Sequence, residues 1–383
     1  MSIYLDNAAT SFPKPERVYR AVMAAMRDVG ASPGRGGYKR SLEAGRLLLQ
    51  AREKIAELFS IPDAARVIFT HSATESLNLA LRGTLVPGDH VITSSMEHNS
   101  LLRPLNMLSK EGVEVTVVQA KEDGLLEPDD FRSVIRPNTR MLAVGHVSNV
   151  SGGIQPIDRL AAVASGAGAL FLVDAAQSAG KIGIDVVTTG IDLLAVPGHK
   201  GLYGPQGTGF LYAGEQVSLK PLLAGGTGSS STMEEQPSSM PEGFEAGTHN
   251  LSGIAGLKAG VEFVLEKKVI TIDKHEQELT NLAAEKLGCF PGIKIYGPVD
   301  PEARAGLLSF NIAGIDPTTI SFMLDHQFDI AVRSGLHCAP QAHRSLGSFP
   351  EGSVRISPGW FNTSEEIDLF CDAVAQCIVS ASS

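Results

Sequence analysis

The chain has 383 residues, a formal net charge of −10, 43% hydrophobic residues and 19% charged ones. That length can bury a large core, the apolar fraction is that of a globular enzyme, and the acidic balance argues against nucleic acid as a partner, since phosphate neutralisation needs basic patches. No apolar run reaches the ~18 residues of a membrane span, and Met1-Ser2-Ile3-Tyr4-Leu5-Asp6 lacks the basic and apolar parts of a secretory signal, so a cytoplasmic protein with no membrane partner is expected.

In chain order, residues 15–29 and 41–60 carry the apolar spacing of amphipathic helices, the second through Leu47, Leu48, Ala51, Ile55 and Leu58. Pro33-Gly34-Arg35-Gly36-Gly37 reads as the loop between them. Strands then alternate with helices: Val67–Thr70 before a helix from Ser76, His90–Thr93 before one from about Ser100, and Val113–Val118. Met141–Val144, Leu170–Val173, Leu193–Val196 and Gly209–Tyr212 follow. The alternation predicts an α/β fold around a mostly parallel sheet, with an antiparallel strand plausible at 209–212. Gly225–Gly243, with its serine runs, reads as an active-site loop or a disordered excursion. Residues 251–267 predict a long helix between two domains, and strands are expected at Leu307–Ile312 and Ser353–Ile356.

Chemistry concentrates where the apolar runs end. Leu193–Val196 leads into Pro197-Gly198-His199-Lys200, and Ala169–Val173 into Asp174-Ala175-Ala176-Gln177. Open α/β sheets bind ligands at the carboxyl ends of their strands. A lysine and an aspartate delivered there suit pyridoxal phosphate, the amine for a Schiff base and the carboxylate to keep the pyridine nitrogen protonated. In Thr70-His71-Ser72-Ala73-Thr74-Glu75-Ser76, a strand-to-helix turn, Ser72 and Glu75 form a capping box and the helix N-terminus offers N–H groups to an anion. Cys289, Cys338, Cys371 and Cys377 have neither C-x-x-C nor zinc spacing, and no metal site is expected. Cys371 and Cys377 fall in a C-terminal helix and read as packing residues, as does Cys289 beside Phe290-Pro291-Gly292.

Asp174…Gln177 and Gly198-His199-Lys200, read with Tyr4–Thr10, Met96-Glu97-His98-Asn99, His146–Gly152, Phe244–Thr248 and Val332–Ala339, resemble the class V, fold-type I pyridoxal-phosphate enzymes. Within them the blocks are most similar to the cysteine desulfurases and selenocysteine lyases, in family order from about residue 3 to about 375. The resemblance implies a mostly parallel seven-stranded sheet in a large domain, 13–260, and a smaller α+β domain from 1–12 and 261–383. It implies that Lys200 holds the cofactor, Asp174 pairs with the ring nitrogen, His98 stacks on the ring and Gln177 reaches its phenolic oxygen. Ala73, Thr74 and His199 fall to the phosphate side, and Asn149 to the substrate side.

Thr248 resembles the phosphate ligand that the family donates across a dimer interface, which implies a homodimer with shared sites. Arg355 matches the arginine that grips the substrate carboxylate, with Arg333 as a second candidate or the partner of a nearby carboxylate. Cys338 matches the cysteine of Arg-Ser/Thr-Gly-x-x-Cys-Ala, the nucleophile that carries a persulfide, on a compact segment like that of the second desulfurase group. The implied activity converts L-cysteine, or L-selenocysteine, to L-alanine and passes sulfur to an acceptor protein. The alternatives are a class V transaminase, epimerase or lyase of other substrates, or a persulfide relay. Two departures stand out: Pro197 replaces a phosphate-binding serine or threonine, and Tyr38 stands where a histidine is common.

Overall fold

The computed structural model describes residues 2–34, 36–228 and 232–381. The elements run β1 (Ile3–Tyr4), α1 (Glu16–Ala24), α2 (Lys39–Phe59), β2 (Val67–Thr70), α3 (Ala73–Thr84), β3 (His90–Ser94), α4 (Asn99–Lys110), β4 (Glu114–Val118), α5 (Pro128–Ser133), β5 (Thr139–Gly145), α6 (Ile157–Gly166), β6 (Leu170–Asp174), α7 (Val186–Thr189), β7 (Leu193–Pro197) and β8 (Gly209–Ala213). After them come α8 (Leu251–Lys267), α9 (Val269–Gly288), β9 (Ile293–Tyr296), β10 (Leu308–Ile312), α10 (Pro317–Phe328), β11 (Ile330–Ala331), β12 (Arg333–Gly335), α11 (Pro340–Leu346), β13 (Ser353–Ile356) and α12 (Ser364–Ala381).

Seven strands form one sheet in the order β2-β8-β7-β6-β5-β3-β4. All pairs are parallel except the two made by β8, which runs antiparallel to β7 and β2, as expected for 209–212. Period-2 alternation in the apolar strands divides two cores. Leu142, Val144, Phe171, Val173, Leu194 and Val196 pack with Ile55 of α2, Leu160 of α6 and Leu257 of α8. Met141, Ala143, Leu170, Leu172, Leu193 and Ala195 pack with Leu77 and Leu81 of α3 and Leu101 and Leu105 of α4. Both faces are therefore covered, which is why these strands read as continuous apolar runs.

A third core joins the two chain ends. Ile3 and Leu5 pack with Leu279, Phe310, Ile356, Phe370, Cys371 and Cys377 beneath a four-stranded sheet, β12-β13-β10-β9. β1 pairs in parallel with β11, Ile3 opposite Ile330. Cys371 and Cys377 are buried as expected, but Cys289 is exposed at the end of α9, so it is not a packing residue. The helix expected over 15–29 stays regular only to Ala24 and widens over Ala25–Val29. Close contact between α8 and the β7–β8 connection depends on glycine: a Cβ at Gly260 would lie 2.1 Å from the Leu202 carbonyl oxygen.

Candidate active site

One edge of the large sheet collects the carboxyl ends of its parallel strands. Gly145 stands opposite Asp174, and Asp174 opposite Ala195. A pocket of about 240 Å³ opens there, lined by Ala73, Thr74, His98, Asn149, Asp174, Gln177, His199 and Lys200. These are eight of the expected site residues, carried by five separate loops.

Burial governs their charges. The Lys200 amine is pushed down to about 8 by burial, an effect that Asp174 opposes and the arginines Arg355 and Arg333 reinforce. Asp174 is itself raised by burial, while the Ala176 N–H at 2.9 Å and the Lys200 charge favour its ionised form. His98 and His199 are each lowered to about 4, first by burial and then by Lys200, so both rings are neutral at physiological pH. His98 caps α4: its Nδ1 accepts the Ser100 N–H at 3.0 Å, which leaves the ring proton on Nε2.

The α3 end of the pocket suits an anion. Ser72 Oγ accepts the Glu75 N–H, as the expected capping box requires, but Glu75 accepts the His71 N–H instead of that of Ser72, so the reciprocal bond is shifted by one residue. The first-turn N–H groups of Ala73 and Thr74 have no partner within the helix. His199 Nδ1 is buried beside them without a partner, and Pro197 lines the same wall. Four donors converge on the His199 carbonyl: the Ser11 N–H, Thr10 Oγ1, Ser11 Oγ and Lys14 Nζ, at 3.0–3.4 Å. They fix the backbone immediately before Lys200. Gln177 Nε2 donates to the Ala8 carbonyl at 3.1 Å, tying the N-terminal segment to the same wall.

Cys338 and Arg355 come from the other core. Cys338 is exposed between β12 and α11, with Arg333 Nη2 at 3.9 Å from its Sγ. His337 and Cys338 both adopt positive φ, 47° and 57°. Non-glycine residues held there cost on the order of 1–3 kcal/mol each, and persist only when their surroundings impose the conformation. Here Asn149 Nδ2 donates to the His337 carbonyl at 2.7 Å, and the Asn99 N–H donates to the Cys338 carbonyl at 2.8 Å. Two loops of the sheet edge thus hold the cysteine loop. Arg355, 1% exposed, donates to the Asn149 carbonyl and to Asp6 Oδ1 at 2.9 and 2.8 Å. Its Nε has no partner. Arg333 makes no carboxylate pair among the described residues, so that alternative is set aside in favour of its place beside Cys338.

Thr248 stands apart within the single chain. It lines a neighbouring groove with Thr70, His71, Glu75, Gly207 and His249. The two depressions share the turn before α3, one using Thr70, His71 and Glu75, the other Ser72, Ala73 and Thr74. Tyr38 is exposed at the start of α2, is not among the pocket-lining residues, and lies so close to Gly36 that a Cβ there would meet its ring. The serines 229–231 lie outside the described residues.

Comparisons with known proteins identify the family and the fold. The sequence model of the Aminotransferase class-V family matches residues 3–370. A probable cysteine desulfurase of Methanothermobacter thermautotrophicus is 38% identical over 380 residues, 98% of this chain and 94% of that one. A cysteine desulfurase of Yersinia pseudotuberculosis is 34% identical over 96% of this chain and 91% of its own. The apo cysteine desulfurase of Thermococcus onnurineus superposes with a TM-score of 0.93 at 33% identity, covering 99% of this chain and 95% of that one.

The chain belongs to the class V cysteine desulfurase family.

Several residues that build this desulfurase-family site carried no signal in the sequence. Glu245 accepts from Arg52 and from the Phe69 N–H, both at 2.5 Å, and is bonded to His249 at 2.8 Å. Arg52 also lies over the Phe69 ring. This buried cluster anchors the segment that presents Thr248. Its members lie far apart in sequence, and only the acidic residue inside the Phe244–Thr248 block could have drawn attention. Asp6, the partner of Arg355, sits in a matched block without a motif of its own.

Proposed function

We propose that the protein is a pyridoxal-phosphate-dependent cysteine desulfurase that converts L-cysteine to L-alanine and leaves the sulfur on Cys338 as a persulfide. The observation that carries this reading is the delivery of Lys200 and Asp174 into one pocket whose loops also hold the exposed Cys338. The residues present fit the cofactor: an amine, a carboxylate for the ring nitrogen, a flat neutral imidazole at His98, and free helix N–H groups for a phosphate. When bound, that cofactor supplies an aldehyde to condense with amines and a ring that draws off the electron pair released at the substrate α-carbon.

The protein's own groups do the rest. Lys200, with its amine near neutrality, can hold the cofactor and then move protons on the substrate carbons. Asp174 would hold the ring nitrogen of the cofactor, and its carboxylate there would favour the protonated ring. A guanidinium has five N–H donors, so Arg355 retains three for a substrate carboxylate after its bonds to Asn149 and Asp6. The Cys338 thiolate attacks the substrate sulfur, the C–S bond breaks, and Arg333 stands where it can balance the anionic sulfur. An S–S bond forms as the C–S bond breaks, and the electron pair of that bond passes to the substrate carbon. The substrate thiol proton stays on the outer sulfur of the persulfide, and protons delivered to the substrate carbons by Lys200 complete L-alanine.

The same reading assigns the third core, with residues 1–12 and 261–383, as the small domain, and 13–260 as the large one. It makes the protein a homodimer in which the Thr248 groove of one protomer serves its partner's phosphate. The exposed apolar residues Tyr19, Met23, Met26, Leu42 and Leu49 support such an interface. L-Selenocysteine is a second substrate in this reading, a sulfur-acceptor protein the next station, and the cytoplasm the compartment; no helix among the described residues is long and apolar enough to cross a membrane. The test is alanine and sulfide release from L-cysteine by the purified, cofactor-loaded protein. Multiple turnovers with a reductant support the enzyme, one stoichiometric sulfur loading supports a relay instead, and alanine formation that does not need Cys338 overturns the persulfide step.

A further inference from the structure

Glu97 lies in the pocket wall, 2% exposed, with no ion-pair partner among the described residues. Its Oε1 accepts the Ser94 hydroxyl at 2.5 Å and its Oε2 accepts the Gly145 N–H at 2.8 Å. Ser94 ends β3 and Gly145 ends β5. These strands are neighbours, yet their paired register runs only to Ile92 opposite Leu142. Beyond that point the ladder has no rungs, and the Glu97 carboxyl group spans the gap. Glycine at 145 permits the approach, because a Cβ there would lie 3.2 Å from Oε2. On its other side Gly145 is paired with Asp174, and the residue after Glu97 is His98.

We propose that Glu97 is a positioning residue whose carboxyl group replaces the missing rungs between β3 and β5, and so sets where His98 and Asp174 face the cofactor. This rests on the reading that pyridoxal phosphate occupies the pocket. The titratable groups that line the pocket with Glu97 are His98 on its own loop, Asp174 at the end of β6, and His199 and Lys200 after β7, and of these the Asp174 charge acts on it. Burial, with the Asp174 charge, pushes the Glu97 carboxyl up to about 8, against the pull of Ser94 and Gly145. Below that pH Glu97 is neutral and adds no negative charge beside Asp174.

Two variants separate bonding from charge. In Glu97→Gln the amide oxygen accepts the Gly145 N–H and the amide nitrogen donates to Ser94 Oγ, with no ionisation. Glu97→Leu keeps most of the volume and neither bond. Amide hydrogen exchange at Gly145 in the purified protein is expected to stay slow in wild type and Glu97→Gln, and to quicken at least ~10-fold in Glu97→Leu. Turnover of L-cysteine at pH 7 is expected to fall less than ~3-fold in Glu97→Gln and more than ~30-fold in Glu97→Leu, mainly in kcat. The visible absorbance of bound pyridoxal phosphate is expected to titrate at a lower pH in Glu97→Gln, because no negative charge can develop there to hold the cofactor's proton. Should Glu97→Leu fail to fold, Ser94→Ala removes one of the two Glu97 bonds, together with the bond that Ser94 Oγ accepts from the Met96 N–H, and is expected to lower kcat by ~3–10-fold and to leave Gly145 exchange slow.

Fast Gly145 exchange in wild type, or wild-type exchange and turnover in Glu97→Leu, overturns the proposal, as does a Glu97→Gln protein that falls as far as Glu97→Leu. An unmoved absorbance titration in Glu97→Gln does so too. Absence of any cofactor absorbance in wild type would overturn the reading of the pocket instead, and Gly145 exchange would still judge Glu97.

Discussion

At the sheet edge, burial drives Lys200, His98, His199 and Glu97 toward their neutral forms. On the elements of the other core, Arg355 is paired with Asp6, Arg333 is half-buried and Cys338 is exposed. The backbone differs in the same sense. The edge is built from ordinary strand ends that lead into caps, whereas the cysteine loop holds two consecutive non-glycine residues at positive φ. Proton transfer needs groups poised between their two states, and burial provides that. Attack by a thiolate needs access and nearby positive charge, which an exposed loop beside an arginine provides. The molecule keeps the two environments on separate cores and joins them through Asn149 and Asn99.

The largest expected effect tests the buried half. Lys200→Ala should lower turnover of L-cysteine by more than ~10³-fold and abolish the link to the cofactor that borohydride reduces. A reducible link that survives in this variant would remove Lys200 from its role.

The exposed half is tested by Cys338→Ala. Cysteine desulfuration should be lost almost completely, while some selenocysteine cleavage persists, because a selenol is more acidic and selenium leaves more readily. Mass spectrometry of the wild type after L-cysteine treatment should show one added sulfur on the peptide carrying Cys338. Sulfur found on exposed Cys289 instead would reassign the nucleophile.

The joint between the halves should give a smaller loss. Asn149→Ala leaves the His337 carbonyl without its 2.7 Å donor and releases part of the restraint on the strained loop. A lost buried hydrogen bond costs about 1–3 kcal/mol, so sulfur transfer should slow by roughly 5- to 150-fold. Cofactor binding should change little. Equal losses in both would mean that the two halves are not separable.

Much of this comparison was legible in the sequence, and the part that was not has a physical explanation. Lys200 and Asp174 stood out because continuous apolar strands must end in polar residues at the edge where ligands bind. The alternation of strands and helices gave the sheet, including the antiparallel β8. Two-residue strands such as β1 and β11 are too short to show a period, and they are paired by residues more than 300 positions apart. The exposure of Cys289 could not be read from its flanking Phe290-Pro291-Gly292. The positive φ of Cys338 follows from tertiary restraint, because cysteine does not favour that conformation locally, and two such residues in succession leave no mark in the sequence. Glu97 and Glu245 escaped notice for the same reason: their main partners, Gly145 and Arg52, are fixed only once the sheet has formed.

The smallest effect concerns the coupling of Lys200 to Asp174. Burial lowers the amine to about 8, and the Asp174 carboxylate raises it from what burial alone would give. An amine reacts with an electrophile only when deprotonated, so in the protein freed of cofactor the labelling of Lys200 should rise with pH through a midpoint near 8. Asp174→Asn removes the negative charge that favours the ammonium form. The midpoint should therefore move to lower pH, by about one unit for a charge at close range in a buried site. The labelling rate is read as a function of pH from the peptide that carries Lys200. An unchanged midpoint would show that Asp174 does not act on the amine, and a rise would contradict the sign of their coupling. Either result would break the picture of a buried half in which burial lowers the amine and the Asp174 charge holds it up.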